Sequence, residues 1–339
     1  MNLAEISGGL VIGFVFGVVM QRSRFCMVAA ASNAVLIRDF RYIQAFLAAW
    51  AVSIFGVSLL ETYDVVMIAD SGYRSGVINW LGAIVGGVLF GFGATLAGGC
   101  AAKTIVNMAE GSLGGFIVLL SMMAFAGITT YGALEPVRMA IVPPTAIRLQ
   151  SGDSGMATLV NSPAWLMGAV IAIGSVMLVA RLGSVRANHR LILAGGLIGL
   201  LVVGAWLVNG WLAVDEFASG KPSAIAITGP LAKLNLYLAT GSGSLLKFGM
   251  LFVLGLFVGA LVSAVLSGRF TLAVVDARRL PLQIVGGALM GIGATFAGGC
   301  NIGQGLSGVS TLSITSLLAA GAMFGGAVLG TKWWELRSD

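Results

Sequence analysis

The chain has 339 residues, 58% of them hydrophobic and 9% charged, with a mean hydropathy of +0.99. Soluble domains carry about 25% charged residues, so this chain lacks the polar surface of a water-soluble globule and reads as an all-α polytopic membrane protein. Its formal charge of +6 sits mostly in arginines between apolar runs, which bears on membrane orientation and anionic ligands and gives no sign of nucleic-acid binding.

The N-terminus carries Glu5 and lacks the basic region of a signal peptide, so the first apolar run is expected to stay in place. Crossing a bilayer core takes about 20 apolar residues. On that measure nine spans are expected, at 7–21, 43–60, 78–97, 113–134, 164–181, 191–212, 245–267, 282–298 and 311–331. Four shorter apolar stretches, 24–37, 100–109, 270–277 and 300–308, each follow a span directly and are too short to cross. They are expected to be short re-entrant helices, since irregular backbone at membrane depth is tolerated only where protein buries it or where it lines a cavity. The seven prolines fall outside or at the edges of the spans. The fifty glycines suit close helix packing in lipid.

One segment occurs twice. Ile84–Cys100 reads IVGGVLFGFGATLAGGC, and Ile284–Cys300 reads IVGGALMGIGATFAGGC; four of the 17 aligned positions differ, each by one apolar residue for another. The expected organisation is a single transport domain, 1–339, with repeat units near 7–134 and 245–331 linked by helices within 164–212. A weaker echo joins Ser23-Arg24-Phe25-Cys26-Met27 to Gly268-Arg269-Phe270-Thr271-Leu272.

Loop charges set the orientation. Connection 22–42 holds Arg22, Arg24, Arg38 and Arg41 against Asp39, 182–190 holds Arg186 and Arg190, and 268–281 holds Arg269, Arg278 and Arg279 against Asp276. Connection 61–77 is acidic, with Glu61, Asp64 and Asp70 against Arg74. The positive-inside rule then puts the N-terminus in the periplasm and the C-terminus in the cytoplasm. The span before Cys100 runs inward and that before Cys300 outward, so the two Gly-Gly-Cys elbows form an inverted pair, a common way to build a transport site near the midplane. By the same count both Arg-Phe junctions are cytoplasmic, so the weaker echo is not inverted.

The chemistry expected at the elbows is anion binding. Glycines 98–99 and 298–299 permit a sharp turn and a close backbone approach, Gly99 and Gly299 lying next to the thiols. Cys100 and Cys300 then start short helices, whose free N–H groups and dipoles favour an anion. Lys103 adds a positive charge to the first elbow, and Asn301 and Gln304 offer amide donors at the second. Every Asp and Glu is placed in a terminus, a loop or a span edge, which leaves no intramembrane carboxylate for a proton or sodium path. Three cysteines without a CxxC give neither a disulfide framework nor a thiolate metal site, and the lone His189 sits in a basic loop. Plainer readings stand beside these. A buried cysteine is ordinarily a small apolar filler; the matched context argues against that for Cys100 and Cys300 more than for Cys26. Lys103 also suits an interfacial anchor, and Arg24 suits an orientation signal better than a ligand contact.

At these residues the chain resembles the YeeE/YedE family of bacterial sulfur-transport membrane proteins. The resemblance rests on Gly98–Cys100, Gly298–Cys300 and Arg24-Phe25-Cys26, and extends over essentially the whole chain. It implies nine spanning helices with short helices dipping into an hourglass-shaped protein. It further implies uptake of thiosulfate across the inner membrane, hydrogen-bonded along a line of thiols matched here by Cys26, Cys100 and Cys300. A small sulfur-carrier protein of the TusA type is the implied cytoplasmic partner, separate from this chain. No cofactor and no enzymatic step are implied. A selenium compound or another sulfur anion remains an alternative passenger. A membrane thiol oxidoreductase is the rival of a different class, disfavoured by the missing CxxC and the lack of a quinone or haem motif; a neutral-solute or ion channel would leave the cysteines idle.

Overall fold

In lipid a backbone N–H or C=O finds no water, so apolar runs of this length fold as helices that satisfy their own groups. The computed structural model describes residues 3–212, 222–241 and 247–338. In chain order the helices are α1 (Leu3–Ser23), α2 (Met27–Leu36), α3 (Arg41–Thr62), α4 (Trp80–Ala97), α5 (Ala101–Ala109), α6 (Leu113–Tyr131) and α7 (Glu135–Thr145). There follow α8 (Met156–Leu159), α9 (Ala164–Arg181), α10 (His189–Leu207), α11 (Thr228–Thr240), α12 (Phe248–Leu266), α13 (Leu280–Ala297) and α14 (Ile314–Ser338). Nine helical stretches among the described residues are long and apolar enough to cross a membrane, with α1–α2 and α4–α5 each counting as one interrupted stretch. The chain is an all-α polytopic membrane protein. Each expected span coincides with one of these stretches; residues 245 and 246 of the seventh lie outside the described residues.

The helix ends follow from local chemistry. Asn79 precedes α4 and its Oδ1 accepts the N–H of Gly82 at 3.1 Å, while Ser112 does the same for Gly115 at the start of α6 (3.3 Å). Both side chains satisfy a donor that the first helical turn leaves unpaired. Pro281 sits in the first turn of α13, where its missing N–H costs nothing.

The spans pack in pairs whose directions can be read from close backbone approaches. α4 and α13 run antiparallel: Gly86 lies against Gly293 and Ala297, and Gly93 against Gly286 and Met290. The contact is reciprocal, since the repeat positions 86/286 and 93/293 exchange roles across it. α4 also runs parallel to α14, and α13 parallel to α6, through Gly91 on Met323 and Gly291 on Met122. α1 and α12 are parallel, as are α3 and α10, whereas α9 lies antiparallel to α3. All these relative directions agree with nine consecutive crossings of alternating sense. The parallel α1–α12 pair places both Arg-Phe junctions on one face, as the loop charges indicate.

Three of the four short apolar stretches are helical: α2, α5 and a π-helical turn at Gly303–Gly308. The fourth, 270–277, is not. It runs extended along the end of α5, where the Thr271 N–H donates to Glu110 O (2.9 Å) and the Ala273 N–H to Gly111 O (3.1 Å). Strand-like pairing satisfies its backbone, and Leu272 and Val274 stay exposed. The expectation of a short helix there is therefore corrected.

The acidic face carries structure that hydropathy did not anticipate. β1 (Ser75–Ile78) pairs antiparallel with β2 (Ile147–Asp153), beyond the helix α7. Arg74 is buried beneath this sheet and pairs with Glu61 and Asp153, with Thr158 Oγ1 accepting at 2.9 Å. The segment is tied to the start of α14: Ser313 Oγ donates to Tyr73 O at 2.6 Å, and the Met156 N–H to Leu312 O at 3.0 Å.

Candidate functional site: two glycine elbows and three thiols

Both repeat segments end in the same turn. After α4, Gly98 takes φ +80°, its N–H reaches Thr95 O (3.1 Å), and the Gly99 N–H reaches Ala94 O (2.9 Å). After α13, Gly298 takes φ +76°, with the matching bonds to Thr295 O (3.4 Å) and Ala294 O (2.7 Å). This is the Schellman cap, in which a left-handed residue lets the last carbonyls of a helix be satisfied. The left-handed residue is thus Gly98, and Gly99 has a different reason to be glycine: a Cβ there would lie 2.8 Å from Cγ of Lys103. Each cysteine then opens the next segment, its carbonyl accepting from Thr104 N (2.8 Å) or Gln304 N (2.7 Å).

The first elbow meets the α1–α2 junction. Arg24 adopts φ +56°, and Cys26 is the extended residue before α2. Its sulfur stands 3.9 Å from that of Cys100. The Cys26 sulfur also faces the backbone N–H groups of Val28, Ala29 and Cys100, while the Cys100 sulfur faces the Lys103 N–H and the Asn301 side chain. All three cysteines are buried free thiols. Cys300 lies at the second elbow within electrostatic reach of Tyr73, whose hydroxyl sits beside Gly303. Burial pushes the Tyr73 phenol well above its ordinary value, with Cys300 adding to the shift, so it stays a neutral hydroxyl.

Around the thiols the polar side chains divide into two kinds. Lys103 Nζ is buried without any hydrogen-bond partner, and the buried Asn301 amide finds no nitrogen or oxygen partner, only the Cys100 sulfur beside it. Gln304 is fully engaged: its Nε2 donates to Ala297 O at 3.0 Å and its Oε1 accepts from Ser316 Oγ. It braces the second elbow against α14. Arg24, half exposed, pairs with Glu110 at the end of α5 (3.0 Å). Glu110 also accepts from Gln21 Nε2 (3.0 Å), and Gln21 Oε1 accepts from Ser263 Oγ (2.9 Å). Glu110, Gln21 and Tyr73 escaped the sequence reading, because nothing in their local pattern says which helix end lies across from them.

A buried polar group without a partner costs about 1–3 kcal/mol. The Lys103 ammonium and the Asn301 amide, next to a pair of thiols and the N-terminus of α5, leave buried donors short of an oxygen acceptor. The arrangement suits an anion with both soft and oxygen acceptors. Among the described residues no group of carboxylates, histidines and cysteines has the clustering to hold a metal ion.

The family model described as sulphur transport matches residues 22–329. A protein named thiosulfate transporter TsuA from Escherichia coli is 30% identical over 89% of this chain and 86% of its own length. One of the same name from Spirochaeta thermophila is 29% identical over 92% of this chain and 94% of its own. A probable transporter, YedE of Escherichia coli, is similar over a smaller part, 28% identical across 33% of this chain and 26% of its own length. By the extent of that match and the paired elbows within it, this chain belongs to the sulphur transport (YeeE/YedE) family.

Proposed function

We propose that the protein imports thiosulfate, or a closely related sulfur anion, across the bacterial inner membrane as a transporter and not an enzyme. The observation that carries this reading is the buried, unpartnered Lys103 ammonium, with the Asn301 amide that meets only the Cys100 sulfur, beside the Cys26–Cys100 thiol contact. Thiosulfate has sulfonate oxygens to accept from N–H donors and a soft terminal sulfur to accept from S–H. The names of its relatives support the same passenger.

In this reading the anion is drawn to Lys103 and the α5 N-terminus and is handed between thiols by hydrogen bonds, with no covalent intermediate. Cys26, Cys100 and Cys300 form the relay. Asn301 reaches from the second elbow towards the first, and Gly99 and Gly299 keep the backbone close to the path. Gln304 holds the second elbow in shape, and Arg24 with Glu110 fixes the α1–α2 junction over the end of α5. The basic loops face the cytoplasm, the N-terminus the periplasm, and a separate TusA-like carrier collects the sulfur inside.

The reciprocal antiparallel packing of α4 and α13 supports an inverted repeat, with the two elbows approaching from opposite faces in an hourglass shape. The helix pairing supports a longer second unit than the paired segments alone suggest. α1–α12 answers α10–α3, α2–α14 answers α11–α6, and α4–α13 answers itself. On that register Cys26, the residue before α2, corresponds to Ile227 before α11, not to Thr271, and α9 is the added span.

The test is uptake of labelled thiosulfate by the purified protein in proteoliposomes, with sulfate and selenium analogues as competitors. Saturable uptake that thiosulfate blocks and sulfate does not is the expected result; equal competition by sulfate would remove the thiols from recognition.

A further inference from the structure

A cavity of about 410 Å³ opens between the length of α2, the end of α4, the first turn of α13 and the last turns of α14. Its lining includes none of the three cysteines, Lys103 or Asn301, but takes in Leu96, Ala97 and Gly98 at the first elbow. A Cβ added to Gly98 would touch nothing within 4 Å, so no protein atom backs the elbow there. Val28, Leu36 and Leu282 line the walls, and Trp334 stands at the mouth, 41% exposed.

Two polar features of the cavity have no counterpart in the protein. Arg279, exposed at the rim, forms no ion pair among the described residues. Gln283 Oε1 is buried without a hydrogen-bond donor. Glu335, also on the rim, already has a partner. The position is interfacial: the walls are helix ends on the arginine-rich face, with a tryptophan at the mouth, as in the aromatic belts of membrane proteins. The connection leading into Arg279 adds Leu272 and Val274, 80% and 85% exposed, beside the cations Arg269 and Arg278.

We propose that this cavity holds an anionic phospholipid of the phosphatidylglycerol type, from the leaflet on the arginine-rich face. Its phosphate pairs with Arg279, a headgroup hydroxyl donates to Gln283 Oε1, and the first acyl carbons pack on Val28, Leu36 and Leu282. A phosphate beside a basic residue between helix ends is an established mode of lipid recognition. The lipid then fills the space behind Gly98 and supports the elbow that carries Cys100. This reading needs only the cavity and holds whatever the transported anion.

The test uses the full chain in detergent, with phosphatidylglycerol, phosphatidylcholine or inorganic phosphate added, read by native mass spectrometry and by the melting temperature. Phosphatidylglycerol is expected to stay bound and raise the melting temperature, while phosphatidylcholine and phosphate do neither. Arg279→Gln should weaken phosphatidylglycerol retention about fivefold, the effect of one interfacial cation. Arg279→Lys should keep it, and Arg269→Gln, outside the cavity, should leave it unchanged. Retention by Arg279→Gln equal to that of the unmodified protein, or by phosphatidylcholine equal to phosphatidylglycerol, would overturn the assignment. Stabilisation by inorganic phosphate alone would also overturn it, in favour of a free-anion pocket.

Discussion

The sulfur atoms of Cys26 and Cys100 lie 3.9 Å apart, although 74 residues separate them in the chain. A disulfide needs about 2.05 Å, so the two are neighbouring thiols, each at the start of a short helix. The contact joins the α1–α2 junction to the first elbow, and Asn301 brings the second elbow to the same sulfur. Three chain breaks thus converge on one sulfur-lined point, although each was laid down in a different part of the sequence.

If those thiols donate to the passenger, Cys100→Ala should lower thiosulfate uptake at least tenfold, a loss of about 1.4 kcal/mol or more. Cys26→Ala and Cys300→Ala should also lower it, with membrane-inserted protein unchanged in each case. Mild oxidation should join Cys26 to Cys100 and stop uptake until a reductant is added. Uptake that continues through the cross-linked protein would show that the path does not run between the two sulfurs. Recovery of the disulfide from untreated cells would instead favour electron transfer.

Residues with no partner and residues with full partners should respond in opposite ways. Asn301→Leu and Lys103→Met each remove a buried polar group worth about 1–3 kcal/mol of desolvation. Both should raise the melting temperature while cutting uptake at least tenfold. Gln304→Leu strands the Ser316 hydroxyl and frees Ala297 O, so it should lower the melting temperature. Combined with Ser316→Ala it should be less than additive, since the two share one bond. A fall in stability for Asn301→Leu would mean that its amide is structural.

That contrast marks where sequence reading stopped. Span positions were legible, because length and apolarity decide them, and so were the elbows, because a repeat of 17 positions declares itself. The segment 270–277 was not legible: its apolar residues are compatible with a helix until Glu110 and Gly111 offer it strand pairing. Arg24-Phe25 and Arg269-Phe270 share letters and a face, yet Phe25 is buried against Phe46 while Phe270 is exposed. Asn301 and Gln304 look alike as amides. Only the packing of α14 reveals that one is spent and the other is not.

The glycines make a graded test of the packing. Gly98→Ala meets no protein atom within 4 Å and should cost little beyond the left-handed backbone penalty of about 1–2 kcal/mol. Gly98→Asn should cost less. At Gly91 a Cβ would collide with Met323 O, so Gly91→Ala must push α4 and α14 apart. Overpacking of this kind typically costs about 1–3 kcal/mol or more, and here backbone faces backbone with no side chain to yield. The melting temperature should therefore fall further for Gly91→Ala than for Gly98→Ala. The reverse order would mean that the α4–α14 contact is looser than it stands here.

The buried Arg74 cluster fixes the acidic face, and its response to pH follows from Asp153. Burial alone would raise that carboxyl; hydrogen bonds from Arg74, Thr158 and the Gly155 N–H, with the Arg74 charge, overcome it and hold the group below its ordinary 3.8. A carboxylate lowered on folding stabilises the folded state above its unfolded value. That contribution is lost as pH falls below about 3.8 and through the folded value. Between pH 5 and pH 3 the unmodified protein should lose melting temperature more steeply than Asp153→Asn, which lacks this component throughout. Arg74→Ala should be worse than either at neutral pH, because it leaves the Glu61 and Asp153 carboxylates side by side without the guanidinium that bridges them, a loss of about 3–5 kcal/mol for a broken buried pair. Arg74→Lys should rescue it only in part, since an ammonium cannot hold both oxygens of Asp153 as the guanidinium does. Parallel pH curves for the protein and its Asp153→Asn variant would place the acid sensitivity elsewhere, and full rescue by lysine would reduce the cluster to simple charge balance.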